Sequence, residues 1–186
     1  SFKPGLNVVV GDDLATNSIG KSTLLMVVDF VMGGSDFLVH NNDVVAELGD
    51  HAYRASFDFV GESYFFRRDT ATPDVVDLCD KSWKVIEALT IQDYRERLTT
   101  LYGLNDVGLS FRQICAPFSR IWGKQNLNPA RPLDAHLKQS AADSLYLALK
   151  LFQKYDEVED LEGALKSVQN KASALNSAFR EQVVPR

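Results

Sequence analysis

Gly20, Lys21 and Ser22 form a triplet whose residue types can hold phosphate. A phosphate loop uses backbone N–H groups at the start of a helix, an ammonium group that contacts the outer phosphates and a hydroxyl group that binds Mg²⁺. The triplet supplies the last part of this set in order, and Thr23 adds a second hydroxyl. Residues 17–23 are therefore a candidate phosphate and magnesium site.

The spacing before the triplet departs from the standard phosphate loop. In the pattern Gly-x4-Gly-Lys-Ser/Thr the first glycine would stand at position 15, where this chain has Ala15. The nearest upstream glycine is Gly11, so the loop is about four residues longer than usual. Either Ala15 tolerates the turn, or residues 12–15 bulge outward and leave the second half of the loop intact.

Three elements must position this loop. Residues 6–10 form a short β-branched run that ends at a glycine, as a buried strand does. A polar loop follows, and the apolar run over 21–32 predicts a helix that is buried on all sides. Gly33 and Gly34 predict the end of that helix. The order of strand, loop and buried helix is the context that a phosphate loop requires.

The middle of the chain has strand patterns. Alternating apolar and polar residues over 51–68 predict an antiparallel hairpin with a glycine in its turn. Residues 75–78 and 83–86 predict two further short strands. Together with the strand at 6–10, they predict an α/β fold with a mixed sheet.

Helical spacing replaces this alternation after residue 90. Thr90 is predicted to cap a helix that ends at Gly103, and Ser110 is predicted to cap another that runs to Gly123. Residues 137–155 then form a long amphipathic segment.

The last part of the chain has the most regular pattern. Apolar residues recur at alternating steps of three and four, with charged and amide side chains between them. This heptad seam consists of Val158, Leu161, Leu165, Val168, Ala172, Leu175 and Phe179. It predicts the start of a coiled-coil arm over 156–186, after a first domain over 1–155. A surface helix packed on its own domain is the alternative, because about three heptads are near the minimum for a coiled coil.

The segments FKPGLNVVVG and NSIGKSTLL resemble the opening of the ABC-type ATPases of the SMC, RecN and RecF group, and most of all a bacterial subgroup of SMC-like ATPases. The chain departs from the family pattern by its longer loop, by Ser18 in place of the usual Gly and by Ile19 in place of Ser or Ala. The order of hairpin, helices and coiled coil is similar as well. The matching positions are Phe2, Gly5, Leu6, Asn7, Gly11, Asn17, Gly20, Lys21 and Ser22.

The resemblance implies a P-loop NTPase fold, the N-terminal lobe of an ABC-ATPase-like head, with ATP and Mg²⁺ as cofactors. Lys21 would contact the β- and γ-phosphates, and Ser22 would ligate Mg²⁺. The family also places a Gln where it senses Mg²⁺ and the γ-phosphate, for which Gln113 and Gln125 are candidates. Backbone amides that would hold the phosphates belong to Asn17, Ser18, Ile19, Gly20, Lys21, Ser22 and Thr23.

Two parts of such an ATPase have no counterpart in this chain. The family has an apolar strand that ends in Asp followed by Glu, and a Ser-Gly-Gly signature donated by a second copy. Here VVVGDD precedes the phosphate loop, and LSFRQ lacks both signature glycines, so we reject both segments. In the family these parts lie in a C-terminal lobe beyond the coiled coil. We therefore expect the N-terminal lobe of a longer protein, with no catalytic residue of its own and little or no hydrolysis.

The expected partners follow from the same resemblance. They are the C-terminal lobe of the same polypeptide, a second ATPase head that pairs on ATP binding, and DNA, in repair, chromosome maintenance or defence. A P-loop kinase or GTPase is a weaker alternative, because no Asn-Lys-x-Asp guanine motif is present and a heptad tail is unusual in kinases. The remaining alternative is a non-enzymatic scaffold with a degenerate loop that oligomerises through its heptad helix.

Composition limits the other classes of function. A net charge of −5 provides no overall field that would attract nucleic acid, so any DNA contact needs a local patch. The longest apolar runs are far shorter than the roughly 20 residues that cross a bilayer. Cys79 and Cys115 have no Cys or His at ligand spacing, which is typical of buried thiols in a reducing compartment. With no leader-like segment, the chain is predicted to be cytoplasmic and without membrane contact.

Overall fold

The computed structural model describes residues 2, 3, 7, 18–119 and 121–180, without the side chains of Ser18, Ile19, Lys21 and Trp122. The α-helices are α1 (Ser18–Val31), α2 (Asp36–His40), α3 (Asn42–Leu48), α4 (Ile91–Leu101), α5 (Phe111–Cys115), α6 (Ala141–Leu151) and α7 (Asp156–Arg180). The strands are β1 (Ala52–Phe59), β2 (Glu62–Asp69), β3 (Val75–Cys79) and β4 (Val85–Thr90). Short 3₁₀ helices cover Asn105–Val107 and Trp122–Lys124.

The four described strands form one sheet in the order β1-β2-β3-β4. The predicted hairpin is confirmed, since β1 and β2 pair antiparallel from Ala52 opposite Asp69 to Phe59 opposite Glu62. Its two turn residues both have positive φ, and the second is Gly61 at 88°, as a two-residue hairpin turn requires. The two further predicted strands correspond to β3 and β4.

Each pair of neighbouring strands in the described sheet is antiparallel. A mixed sheet would need the predicted strand at 6–10, of which the structure describes Asn7 alone, so that strand stays a prediction. The described residues therefore establish a mixed α/β fold built on an antiparallel sheet.

Two apolar clusters hold these elements together. One lies between the sheet and α4 with α5, and the other joins α1 to α2 and to the segment before the second 3₁₀ helix. The first cluster contains Phe66, Val76, Leu89, Tyr94, Leu98 and Phe111. The second cluster contains Met26, Phe30, Phe37 and Ile121. Helix α1 thus packs through one side of its C-terminal half.

The prediction that α1 is buried on all sides is wrong. Met26 and Phe30 are buried, but Leu25 is 49% exposed and Ser22 is exposed as well. An apolar composition favours burial, yet other elements decide which faces of a helix are covered.

The capped helices after the sheet are confirmed in part. The Thr90 side chain accepts a hydrogen bond from the Asp93 N–H and begins α4, as predicted. Ser110 begins α5 with a capping box, but α5 ends at Cys115 rather than near Gly123. Pro117 has no N–H for the next helical hydrogen bond, which explains the early end.

Helix α7 begins at the predicted domain boundary and is exposed over residues 161–177. The choice between a coiled-coil arm and a surface helix packed on its own domain stays a prediction. Among the described residues, no helix combines the length and the apolar character needed to cross a membrane.

Candidate functional site

The candidate phosphate site lies in the first turns of α1. The helix begins at Ser18, so the triplet Gly20, Lys21 and Ser22 is helical and close to its N-terminus. The first N–H groups of a helix have no acceptor within the helix and carry a partial positive charge. Gly20 and Ser22 are exposed and Thr23 is half-buried, so this end of α1 is accessible to a ligand.

The space beside the Gly20 Cα is open, and the side chain of any other residue would occupy it. A Cβ at this position would meet no atom of the described residues within 4 Å. Glycine inside a helix costs about 1 kcal/mol relative to alanine, so packing against the described residues does not explain it. Close approach of a ligand to the backbone is a common reason for such a glycine. The exposed Ser22 hydroxyl and this open backbone fit a phosphate group with a bound Mg²⁺.

The predicted amide donors fall into two groups. The structure brings Ser18, Ile19, Gly20, Lys21, Ser22 and Thr23 together in α1. Asn17 and the longer loop before it lie outside the described residues. Because the first four N–H groups of a helix have no acceptor within it, Ser18, Ile19 and Gly20 are the described donors that remain for a ligand in a helix that begins at Ser18.

The other end of α1 has a very different environment. Gly33, with φ of 81°, donates a hydrogen bond to the Phe30 carbonyl, and Gly34 donates one to the Asp29 carbonyl. A Cβ at Gly34 would overlap the Asp29 carboxylate and contact the Arg112 guanidinium. These two glycines end the helix, as predicted, and let side chains from three other elements reach its last carbonyl groups.

Arg68 on β2 makes the most extensive of these contacts. Its guanidinium donates to the carbonyl oxygens of Phe30 at 2.5 Å, Gly34 at 2.7 Å and Pro73 at 2.8 Å. It also lies 4.0 Å from the centre of the Phe30 ring, and the residue is only 3% exposed. Burial, then the charge of Arg95, lowers the pKa of Arg68 to about 10. The guanidinium is still protonated at neutral pH, and the carbonyl groups offset the cost of burying its charge.

Two helices complete the contacts at this end. On α4, Arg95 donates to the Gly33 carbonyl and Tyr94 donates to the Val31 carbonyl at 2.6 Å. On α5, Arg112 donates to the Met32 carbonyl at 3.1 Å and pairs with the buried Asp29 carboxylate at 2.5 Å. Cations near the C-terminus of a helix interact favourably with its dipole. We call Arg68, Tyr94, Arg95 and Arg112 the C-terminal anchor of α1.

The anchor changes the interpretation of the hairpin arginines. Arg67 and Arg68 lie near the end of the predicted hairpin, a position that is compatible with a nucleotide contact but is more often solvated. Arg68 instead binds α1 about 15 Å along the helix axis from Gly20, and Arg67 pairs with Asp77 at 3.6 Å. Sequence reasoning missed the anchor, because a buried arginine on a strand has the same pattern as an exposed one.

The two candidate glutamines lie in different places. The Gln113 side-chain oxygen accepts hydrogen bonds from the N–H and the hydroxyl of Ser110, at 2.9 and 2.8 Å. Its helix, α5, contacts the C-terminal end of α1 through Arg112. Gln125 is exposed and has φ of 51°, directly after the second 3₁₀ helix. The contact of Gln113 or Gln125 with Mg²⁺ therefore stays a prediction.

Two clefts lie away from the start of α1. One, of about 600 Å³, separates α4 from α5 and is lined by Arg95 and Arg112. The other, of about 480 Å³, lies between α5 and α6 and is lined by Arg112, Gln113 and His136, among others. Both arginines in these clefts already donate to α1. The clefts are thus spaces beside the anchor rather than extensions of the candidate phosphate site.

No family model, curated protein or solved structure matches this chain. The class defined by the fold is a mixed α/β protein with an antiparallel sheet and a projecting C-terminal helix. Any assignment to a family of ATPases therefore rests on the residues themselves.

Proposed function

We propose that this chain is the ATP-binding N-terminal lobe of an SMC- or RecN-like ATPase head with a P-loop NTPase fold. One observation carries the proposal: Gly20, Lys21 and Ser22 lie in the first turns of a helix, with Gly20 and Ser22 exposed, and four side chains fix the other end of this helix. A helix held in this way presents its free N–H groups in a constant position, which favours binding of an anion.

The residues of α1 have distinct roles in this proposal. The amide groups of Ser18, Ile19 and Gly20 at the start of α1, with that of Asn17 before them, donate to the phosphate oxygens. The Lys21 ammonium group contacts the β- and γ-phosphates. Ser22 ligates Mg²⁺, which neutralises charge on the phosphates. Gln113 or Gln125 is the candidate for a further Mg²⁺ contact. Gly20 lets the backbone approach the phosphates, because it has no Cβ.

Hydrolysis requires groups that we do not assign to this chain. No residue here is proposed to position the attacking water, so the isolated chain should bind ATP and hydrolyse little. The C-terminal lobe of a longer polypeptide and a second head would complete the site, with DNA as the expected partner of the whole assembly. The division into a lobe at 1–155 and an arm at 156–186 agrees with the start of α7 at Asp156, and the cytoplasm stays the predicted compartment.

Calorimetric titration of Mg-ATP into this chain tests the proposal. We expect saturable binding to the wild-type chain and none to Lys21→Ala. Gly20→Ala should also weaken binding, because its methyl group would occupy the space next to the phosphates. Gly163→Ala is the matched control, since Gly163 is helical and equally open but lies in α7. It should bind ATP like the wild type.

Unchanged binding in Lys21→Ala would contradict the proposal. Absence of binding to the wild-type chain, repeated with the full-length protein, would favour the non-enzymatic scaffold with a degenerate loop. Binding only to the full-length protein would show that the other lobe completes the cradle.

A further inference from the structure

The cleft between α4 and α5 has two arginine side chains in its wall, and both are held in place by the end of α1. Arg95 donates through Nε and Nη2 to the Gly33 carbonyl, at 3.1 and 2.6 Å. Arg112 donates through Nη1 to the Met32 carbonyl and pairs through Nη2 with the Asp29 carboxylate. These contacts fix both guanidinium groups, so a ligand in the cleft would meet donors that are already positioned.

Each of these guanidinium groups keeps a donor that the fold does not use. Among the described residues, Nη1 of Arg95 and Nε of Arg112 have no acceptor. Both residues line the cleft; Arg95 is half-buried, and the side chain of Arg112 is 19% exposed. A guanidinium group has five N–H donors in a planar fork that matches a carboxylate or a phosphate. The unused donors are thus suited to an oxyanion.

The charges around the cleft also favour an anion. Among the described residues that line it, Arg95 and Arg112 are cationic and Glu96 is the one acidic residue. The carboxylate that pairs with Arg112, that of Asp29, is fully buried. Burial, then the charge of Arg112, lowers the pKa of Arg95, while Asp74 and Asp29 act in the opposite direction. The surroundings on balance disfavour the charge of Arg95, and a bound anion would stabilise it.

The cleft has room for a small molecule, and most of its lining is polar. Its volume of about 600 Å³ lies within the range of small-molecule sites in proteins. Hydroxyl and amide side chains line it together with the charged residues and can bind hydroxyl groups of a ligand. They belong to Gln92, Thr99, Thr100, Asn105 and Ser110, and the apolar members of the lining are Leu109 and Phe111. The lining therefore fits a small polar molecule with an anionic group.

We propose that the cleft between α4 and α5 is a second anion-binding site, in which Arg95 and Arg112 bind the phosphate or carboxylate group of a small polar molecule. The site is separate from the candidate nucleotide site, because the two arginines contact the C-terminal end of α1 and Gly20 lies near its start. An anion in the cleft links α4 and α5 to each other through these arginines. Its binding therefore stabilises the C-terminal anchor of α1.

The test is a titration of the wild-type chain with sodium phosphate, followed by the NMR chemical shifts of its backbone amide groups. Titrations with sodium acetate and sodium chloride at equal ionic strength separate a phosphate site from a carboxylate site and from a general effect of salt. We expect saturable shifts in α4 and α5 with phosphate or acetate, and none with chloride. The same shifts should persist in Lys21→Ala, because the cleft does not include the start of α1.

Two changes of charge in the lining leave the anchor intact and locate the anion. Asn105→Asp adds a negative charge but keeps an oxygen that accepts from Thr100, so it should weaken binding roughly two- to tenfold. Glu96→Gln removes the acidic side chain of the lining and should strengthen binding by a similar factor. The matched controls are Asn170→Asp in α7 and Glu47→Gln in α3, the same substitutions at exposed positions outside the cleft. Both controls should leave the affinity unchanged.

Each of three results would overturn the inference. Shifts in α4 and α5 that are absent, or equal with all three salts, would show that the cleft has no anion site. Shifts that disappear in Lys21→Ala would assign the binding to the start of α1. Equal affinities of the wild type, Asn105→Asp and Glu96→Gln would place the anion outside the cleft. The shifts in α4 and α5 are measured without ATP, so the proposed nucleotide site can fail or stand separately.

Discussion

Helices α1 and α7 both carry apolar side chains that favour burial, but these side chains have opposite environments. The C-terminal half of α1 is covered by apolar side chains, and its last carbonyl groups accept hydrogen bonds from β2, α4 and α5. The contacts of α7 with the rest of the described chain lie at its start, and Leu161, Leu165, Val168 and Leu175 of its seam are exposed. The comparison shows that apolar residues in a helix do not determine whether other segments of the same chain cover them.

The polar anchor explains much of this difference. Three guanidinium groups and one tyrosine hydroxyl donate to carbonyl groups in the last turn of α1 and in the three residues that follow it. Helix α7 has no comparable contacts among the described residues. The anchor therefore makes α1 a fixed part of the fold, and its removal should make the end of α1 behave more like α7.

Arg68→Ala should have the largest effect on this comparison. It removes three hydrogen bonds, among them the one to the buried Gly34 carbonyl, while the Phe30 carbonyl keeps the Gly33 N–H as a donor. We expect a loss of about 3 to 5 kcal/mol in the free energy of unfolding. Arg97→Ala is the matched control, because Arg97 is more exposed and pairs with Glu87 at 3.4 Å. The control should change stability by less than about 0.5 kcal/mol. Urea unfolding measures both, and equal losses would contradict the role of the anchor.

Gly34→Ala should have an intermediate effect. The new methyl group would overlap the Asp29 carboxylate beside Arg112, and we expect a loss of about 1 to 3 kcal/mol. In α7, where a Cβ at Gly163 would meet no described atom within 4 Å, alanine should instead raise helicity, with a gain of up to about 1 kcal/mol. Urea unfolding and far-ultraviolet circular dichroism measure the two effects. If Gly34→Ala left the free energy of unfolding unchanged, the end of α1 would be able to accommodate the methyl group without strain.

Tyr94→Phe should have the smallest effect at neutral pH. It removes the hydrogen bond to the Val31 carbonyl while keeping the ring, at a cost of about 1 kcal/mol. Tyr146→Phe, at a residue that is 38% exposed, is the control and should be nearly neutral.

Tyr94 should also make the free energy of unfolding depend on pH in the alkaline range. Burial raises the pKa of Tyr94 in the folded chain above its usual value. In the unfolded chain, tyrosine ionises at about pH 10. The unfolded state therefore loses this proton first, and the wild-type chain should lose stability as the pH rises above about 10. In Tyr94→Phe this contribution should be absent, which urea midpoints at pH 9 and 11 can show. Identical pH dependence in both chains would contradict the assignment to Tyr94.

Local sequence signals predicted much of the fold. The hairpin at β1 and β2 follows from alternation around Gly61, and the start of α4 follows from the Thr90 cap. The end of α1 follows from two glycines. These features depend on neighbouring residues, which the sequence places next to one another. The length of α5 was not predicted, because Pro117 acts against a helical pattern that otherwise continues.

The candidate site also has one part that could be predicted from local sequence and one part that could not. The triplet at 20–22 could be predicted as the start of a helix, because its neighbours carry the pattern. The anchor could not be predicted, since Arg68 and Arg112 are distant in sequence from the carbonyl groups that they bind.

The sequence by itself determined the hairpin of β1 and β2, the starts of α4 and α5, the end of α1 and the place of the phosphate-binding residue types, but not α2, α3 or the length of α5. Only the tertiary structure decided that the end of α1 is buried among cations while the seam of α7 is exposed. The physical reason is that burial depends on contacts between distant segments, whereas a local pattern specifies only which side of an element is apolar.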